Sequence, residues 1–324
     1  MNSPVTPPSL SPEEKVPAPD SPGADTANSL KSQQPWGERI FQGDDGLRTG
    51  WRILLYLGIA AAMFYLTQLL GTLLFPEVTH GPTTLWQALY QEFSLFLSAL
   101  LPAFLMGHVE ERPFDDYGLP RSQAFGRLFW TGAGWGFVSI AALLLLMRGT
   151  GVFNFGDVTL HGARIWRFAL FWGLYFVIVG LFEEFLTRGY LLFSISRSLG
   201  FWPAAGMLSF AFGAIHLMNA GEGVVGAFSA AFIGLFFCLT LRRTGTLWFA
   251  VGFHAAWDWG QSYVWGVADS GTNQPGHLMS PSIHGSPWLT GGSVGPEGSV
   301  LCFLLVVAVW ALFALRYPQV KYKG

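Results

Sequence analysis

From residue 53 to the end of the chain the sequence is built of apolar runs of about 18 residues or more, separated by short polar stretches. A run of that length crosses roughly 30 Å of hydrocarbon as a helix. Eight such helices are predicted, at 53–75, 85–106, 128–147, 168–193, 201–218, 224–241, 247–264 and 298–315. The pattern changes before residue 36, where Pro, Ser, Asp, Glu and Lys crowd the chain and aromatic or branched apolar side chains almost vanish. Such a composition cannot offset the entropy of ordering. Residues 1–35 are therefore expected to form a disordered cytoplasmic tail, and with no apolar stretch near Met1 they do not look like a secretory signal. Residues 36–324 then make one membrane-embedded domain, and the predicted fold is all-α: a polytopic transmembrane helix bundle of about eight spanning helices.

Composition strengthens that picture. The 324 residues are 51% hydrophobic and 12% charged, against about 25% charged in an average soluble domain, so the first partner is the lipid bilayer. A net charge of -2 and the absence of a Lys/Arg-rich tract exclude nucleic acid as a partner. Lys and Arg collect on the cytoplasmic side of spanning helices. Here Arg39, Arg48, Arg52, Arg112, Arg121, Arg127, Arg197, Arg242, Arg243 and Arg316 fall on one side of the predicted bundle, against Arg148, Arg164 and Arg167 on the other. Segment 266–297 contains neither Lys nor Arg, as an outer loop should. Both termini are then cytoplasmic, the number of spans is even, and the protein is multi-pass, in the inner membrane if its source is bacterial. Cys238 and Cys302 each sit in an apolar run and are expected to pack as small hydrophobes.

Ionisable groups inside spanning runs change the question from fold to chemistry, since each costs about 2.5–3.5 kcal/mol to insert. They cluster: Glu183, Glu184 and Arg188 in the run 168–193, His216 in 201–218, and His254 and Asp258 in 247–264. Residues four apart on a helix share a face, whereas neighbours diverge by about 100°. Glu184 therefore meets Arg188, and Glu183 points elsewhere without a cation on its own helix, as suits a general base that takes a proton from water. His254 and Asp258 also share a face, so Asp258 either orients the imidazole or joins it on a metal. A His216, His254, Asp258 set with an open position is a hydrolytic zinc arrangement; the residues allow zinc without requiring it. A purely structural clasp explains Glu184 with Arg188 but leaves Glu183, His216, His254 and Asp258 without a purpose.

On these residues the chain resembles the intramembrane proteases that include type II CAAX prenyl endopeptidases and bacteriocin-processing or immunity proteins, abbreviated CPBP or Abi. The family pattern Glu-Glu-x-x-x-Arg, Phe-x-x-x-His and His-x-x-x-Asn/Asp is matched in order by Glu183, Glu184 and Arg188, by Phe212 and His216, and by His254 and Asp258. The motif core is 180–260. Arg112-Pro-Phe-Asp-Asp-Tyr-Gly-Leu119 is similar to an upstream Arg and Gly-Leu element of the family. The resemblance implies hydrolysis of a peptide bond in a membrane-associated protein or peptide, lipidated substrates being one family class. Glu183 and His216 would activate a water, and His254 with Asp258 would stabilise the oxyanion or hold a metal; Glu184, Arg188 and Asp258 are supporting. Some members carry Asn where this chain has Asp258, and an ionised Asp is a poor oxyanion donor, which shifts that role to His254.

Other protease designs fit worse, because there is no His-Glu-x-x-His, Gly-x-Ser-x-Gly or Gly-x-Gly-Asp. Glu92 and Gln91, near the start of the second run, are assigned no role. At about 1.5 Å per residue, Glu183, His254 and His216 lie roughly 15, 10 and 22 Å from the inner helix ends; the site is expected to face inward, with His216 its deepest member. The alternative from another class is a non-proteolytic protein, of bacteriocin-immunity type or an ion- or proton-coupled transporter, using the same Glu and His cluster.

Overall fold

The computed structural model describes residues 40–43, 46–75, 84–219 and 221–322; the tail expected over residues 1–35 lies outside them. A two-stranded antiparallel hairpin comes first, β1 (Gln42–Gly43) with β2 (Gly46–Leu47), in which Gln42 faces Leu47. The helical body begins at Thr49. Its α-helices are α1 (Thr49–Leu74), α2 (Leu85–Val109), α3 (Arg127–Gly149), α4 (Ala163–Arg188), α5 (Tyr190–Leu199), α6 (Phe201–His216), α7 (Val224–Thr244), α8 (Trp248–Asp258) and α9 (Val300–Arg316). Among the described residues, five stretches are long and apolar enough to cross a membrane: Thr49–Leu74, Leu85–Val109, Arg127–Gly149, Ala163–Leu199 and Val224–Thr244. The protein is a polytopic helical membrane protein, and every predicted apolar run is occupied by helix.

Two runs differ from the expectation in ways that bear on the site. The run 168–193 is broken at Gly189 into α4 and α5, because the chain turns there so tightly that a Cβ would meet the Phe185 carbonyl at 2.5 Å and its ring at 2.7 Å. The run 247–264 is α-helical only to Asp258 and continues as a wider π-helical turn, Trp259–Val264, a local widening often found at functional sites.

Small residues set how closely the helices approach. Gly132 and Gly136, four apart on α3, face the backbone carbonyls of Phe249 and Phe253 on α8, and Gly252 of α8 faces the carbonyl of Phe129 on α3. No side chain fits between the two backbones. With lipid tails as apolar as Leu, close backbone packing of this kind is what associates membrane helices. Gly180 of α4 approaches α8 likewise; a Cβ on it would lie 3.1 Å from the Val251 carbonyl and 3.5 Å from the His254 Cβ. The loop between α2 and α3 fixes the other end of α8: Gly118, left-handed at φ 87°, lets its carbonyl accept from Leu247 N at 2.7 Å, and Trp248 Nε1 donates to Pro120 O at 3.1 Å.

The all-α expectation has one further local exception in this body. β3 (Phe153–Val158) pairs antiparallel with β4 (Met279–Ile283), Phe153 opposite Ile283 and Val158 opposite Met279, with a bulge between Asn154 and Asp157. Gly156 sits in that bulge at φ 69°, against the Ser280 carbonyl, the left-handed geometry that glycine supplies without strain. The pair ties the α3–α4 connection to the Lys/Arg-free segment 266–297.

Replacing Gly136 by Val should force α3 and α8 apart and lower stability by about 1–3 kcal/mol. Thermal unfolding in detergent checks this, with Gly134→Val as a near-neutral control because no atom outside its own helix lies within 4 Å of its Cβ position.

Candidate active site

The i, i+4 spacing on α4 produces the pair it predicts, with more partners than spacing alone reveals. Arg188 Nη1 donates to Glu184 Oε2 at 2.8 Å and to Thr187 Oγ1 at 2.8 Å, while Nε donates across to Gly234 O of α7 at 3.0 Å. The guanidinium lies over the rings of Phe212, at 5.0 Å from the centroid, and Phe237, at 5.5 Å. Gly234 leaves room for it, since a Cβ there would lie 2.6 Å from Arg188 Nη2. Glu184 is fully buried and Arg188 is 1% exposed, so the charges compensate each other away from water.

The second oxygen of Glu184 reaches a different helix. Its Oε1 lies 2.9 Å from His254 Nδ1 on α8, the approach that Gly180 permits. With Nδ1–H donating to Glu184, the other ring nitrogen, Nε2, is turned toward Asp258 Oδ2 at 3.4 Å and Glu183 Oε2 at 3.7 Å. The imidazole stacks on Phe237 at 5.8 Å. Glu183 is 28% exposed and lies on another side of α4 from the Glu184 and Arg188 pair; its backbone carbonyl accepts from Thr187 Oγ1 at 2.8 Å. His216 is the last residue of α6, and its Nδ1 is 2.8 Å from Phe212 O, which leaves Nε2 for other partners.

Glu183, His216, His254 and Asp258 line one cavity of about 200 Å³, with Glu184 and Arg188 behind its wall. The cavity also has acids that sequence spacing does not single out. Glu92 of α2, assigned no role above, is one of them and accepts a hydrogen bond from Tyr175 Oη at 3.3 Å. Asp269 and Glu297 are two more, each bringing a carboxylate oxygen within 4.8 Å of the other and of Asp258. Glu297 accepts from Trp257 Nε1 at 3.1 Å and Ser270 N at 3.2 Å, and Asp269 from Ser262 Oγ at 2.9 Å. Burial, then the neighbouring Asp258 and Glu297 charges, push the Asp269 carboxyl well above its ordinary range. The only sequence signal for these two was that they are acids in a segment without Lys or Arg, next to predicted spans.

One expectation about the site is revised. The cavity is lined by Glu222, Asp269, Gln274 and Glu297, segments that the Lys and Arg distribution assigns to the outer side, so under that orientation it borders the outer loops and not the inner ones. Among the described residues the three ligand atoms lying within 4.8 Å of one another are those of Asp258, Asp269 and Glu297; of the expected metal set, His254 Nε2 and Asp258 Oδ2 are 3.4 Å apart. The Nδ1 atoms of both histidines are engaged, by Phe212 O and Glu184, which leaves each Nε2 turned away from these partners, as in a histidine that ligates a metal through Nε2.

Residues 165–260 match the family model described as type II CAAX prenyl endopeptidase, Rce1-like. That stretch runs from α4 to just past α8 and contains all three motifs. Comparison with curated proteins and with solved structures finds no match.

Glu184→Gln leaves the Arg188 charge buried without its carboxylate. It should cost about 3–5 kcal/mol, read as a lowered unfolding temperature in detergent, whereas Glu183→Gln, at a partly exposed position, should change that temperature little.

Proposed function

We propose that the chain bearing this CAAX endopeptidase-like domain hydrolyses a peptide bond within the membrane, with Glu183 as general base. The observation that carries the proposal is the convergence of Glu183, His216 and His254 on one cavity, with Arg188 paired to Glu184 and His254 held in place by the same carboxylate. A water lodged between Glu183 and His216 gives its proton to the Glu183 carboxylate as its oxygen attacks the substrate carbonyl. His216, whose Nδ1–H is committed to Phe212 O, presents Nε2 as an acceptor and so orients that water. The carbonyl oxygen becomes an oxyanion and requires a donor. His254 can donate from Nε2 when that atom carries a proton as well, and Asp258 at 3.4 Å supplies the compensating charge. Glu183 then returns its proton to the departing amine nitrogen as the C–N bond breaks. No step of this scheme passes through a metal.

A second reading has an observation of its own. The acids continue from Glu183 through Asp258 to Asp269 and Glu297, as they would in a proton-coupled carrier that cleaves nothing.

Cleavage separates the two. Purified full-length protein incubated with a peptide library, with products read by mass spectrometry, should show cut peptides for wild type and a loss of about 100-fold or more for Glu183→Gln and His216→Ala. Equal cleavage by all three proteins would remove the proposed mechanism. Activity should also persist after chelation and dialysis, with bound metal measured in the same sample; loss of activity that zinc restores would return the metal to the mechanism.

A further inference from the structure

Another cavity, of about 360 Å³, lies apart from the site, between α2, α4, the first turn of α8 and the loop that joins α2 to α3. Phe96, Leu100, Leu101 and Phe104 form its α2 wall. From Phe96 to Phe104 that wall runs about 12 Å along the helix, most of the roughly 15 Å that one leaflet contributes to the hydrocarbon. It is a groove open to the bilayer, since Leu101, Phe104 and Phe125 on its lining are 37%, 52% and 47% exposed. Phe125 stands at φ 51°, a left-handed conformation rare for a bulky residue, and its ring rests on those of Phe129 and Trp248 at 5.0 and 5.2 Å. The lining carries one charge, that of Arg121. Asp115 and Asp116 of the same loop lie off it, and among the described residues no hydrogen bond or ion pair engages the Arg121 guanidinium.

We infer that this groove holds one acyl chain of an anionic phospholipid, with the headgroup phosphate on Arg121. The groove opens sideways into hydrocarbon, where a soluble partner does not reach, so its occupant is lipid. The sign of the headgroup follows from charge complementarity: the one ionised group on the lining is an unpaired guanidinium, whose planar fork matches a phosphate. Under the orientation that the Lys and Arg distribution gives, Arg121 stands at the cytoplasmic surface, where basic side chains meet anionic lipids. The groove also shares residues with the support of the site. Trp248 on its lining donates to Pro120 O, Leu119 follows the Gly118 whose carbonyl holds Leu247 N, and Leu181 precedes Glu184 by three residues on α4. A lipid chain seated there packs on the loop that fixes the first turn of α8, and so steadies the helix that carries His254 and Asp258.

Native mass spectrometry of the full-length protein in detergent, with phosphatidylglycerol or phosphatidylcholine of the same acyl chains added, reads bound lipid and oligomeric state together. The expected result is one phosphatidylglycerol per chain, retained about five-fold more strongly than phosphatidylcholine, with a raised unfolding temperature in the same detergent. Arg121→Gln should bring the two lipids level, and Arg121→Glu should reverse their order; both change an exposed side chain. Leu101→Trp, which fills the groove, should lose both lipids. Equal retention of the two lipids by the wild type overturns the inference, as does a preference that survives Arg121→Gln. A dimer in place of bound lipid, broken by Leu101→Trp, makes the occupant a second copy of the chain and overturns it too. None of these outcomes depends on whether a peptide is cut, so the lipid site and the endopeptidase reading stand or fall separately.

Discussion

One carboxylate, Glu184, holds the site together by being shared. Its two oxygens go to two helices: Oε2 to Arg188 on its own helix and Oε1 to His254 on α8. Arg188 in turn reaches Gly234 on α7 and lies over Phe212 of α6. A buried charge must be compensated nearly in full, and here the compensation runs through four helices. The alignment of α4, α6, α7 and α8 is therefore set by electrostatic necessity as much as by packing. Because Glu184 is occupied on both sides, its neighbour Glu183 is the α4 carboxylate left facing the cavity.

The glycines make this sharing possible. A hydrogen bond of 2.9 Å between side chains on α4 and α8 needs the backbones close, and Gly180 on α4 allows it. Gly132, Gly136 and Gly252 bring α3 against the opposite face of α8 in the same way. α8, which carries His254 and Asp258, is thus clamped between two helices, and its first turn is tied to Gly118 and Pro120. The Arg112–Leu119 element, a minor part of the resemblance, has a physical role in that tie.

Local spacing made part of the site legible. Glu184 with Arg188 and His254 with Asp258 are i, i+4 pairs, and helical geometry alone places each on one face. The apolar runs likewise announced the helices, since a helix satisfies its backbone within one continuous apolar segment in lipid, whereas a barrel strand needs its neighbours. The Glu184 to His254 bond was not legible, because it joins residues 70 apart and depends on the angle between two helices. Glu92 was passed over because a lone acid near the start of a run looks like an interfacial residue until the packing of α2 on α4 turns it to the cavity. Asp269 and Glu297 had no periodic context, and the path of a loop is not written in its composition. The break at Gly189 was hidden for a related reason: apolar composition continues through it unchanged while the backbone does not.

The short β3–β4 pair has an effect out of proportion to its length. The chain between the end of the π-helical turn at Val264 and the start of α9 at Val300 would, if untethered, let Asp269 and Glu297 wander over a wide volume. Closing a long loop costs entropy, and so does holding its charges in register. By fastening Met279–Ile283 to Phe153–Val158, the strands divide that chain into two shorter arcs, one for each acid. The ordering is thus complete at the time of folding and need not be repeated at each encounter with a ligand, so the acidic wall of the cavity is preorganised.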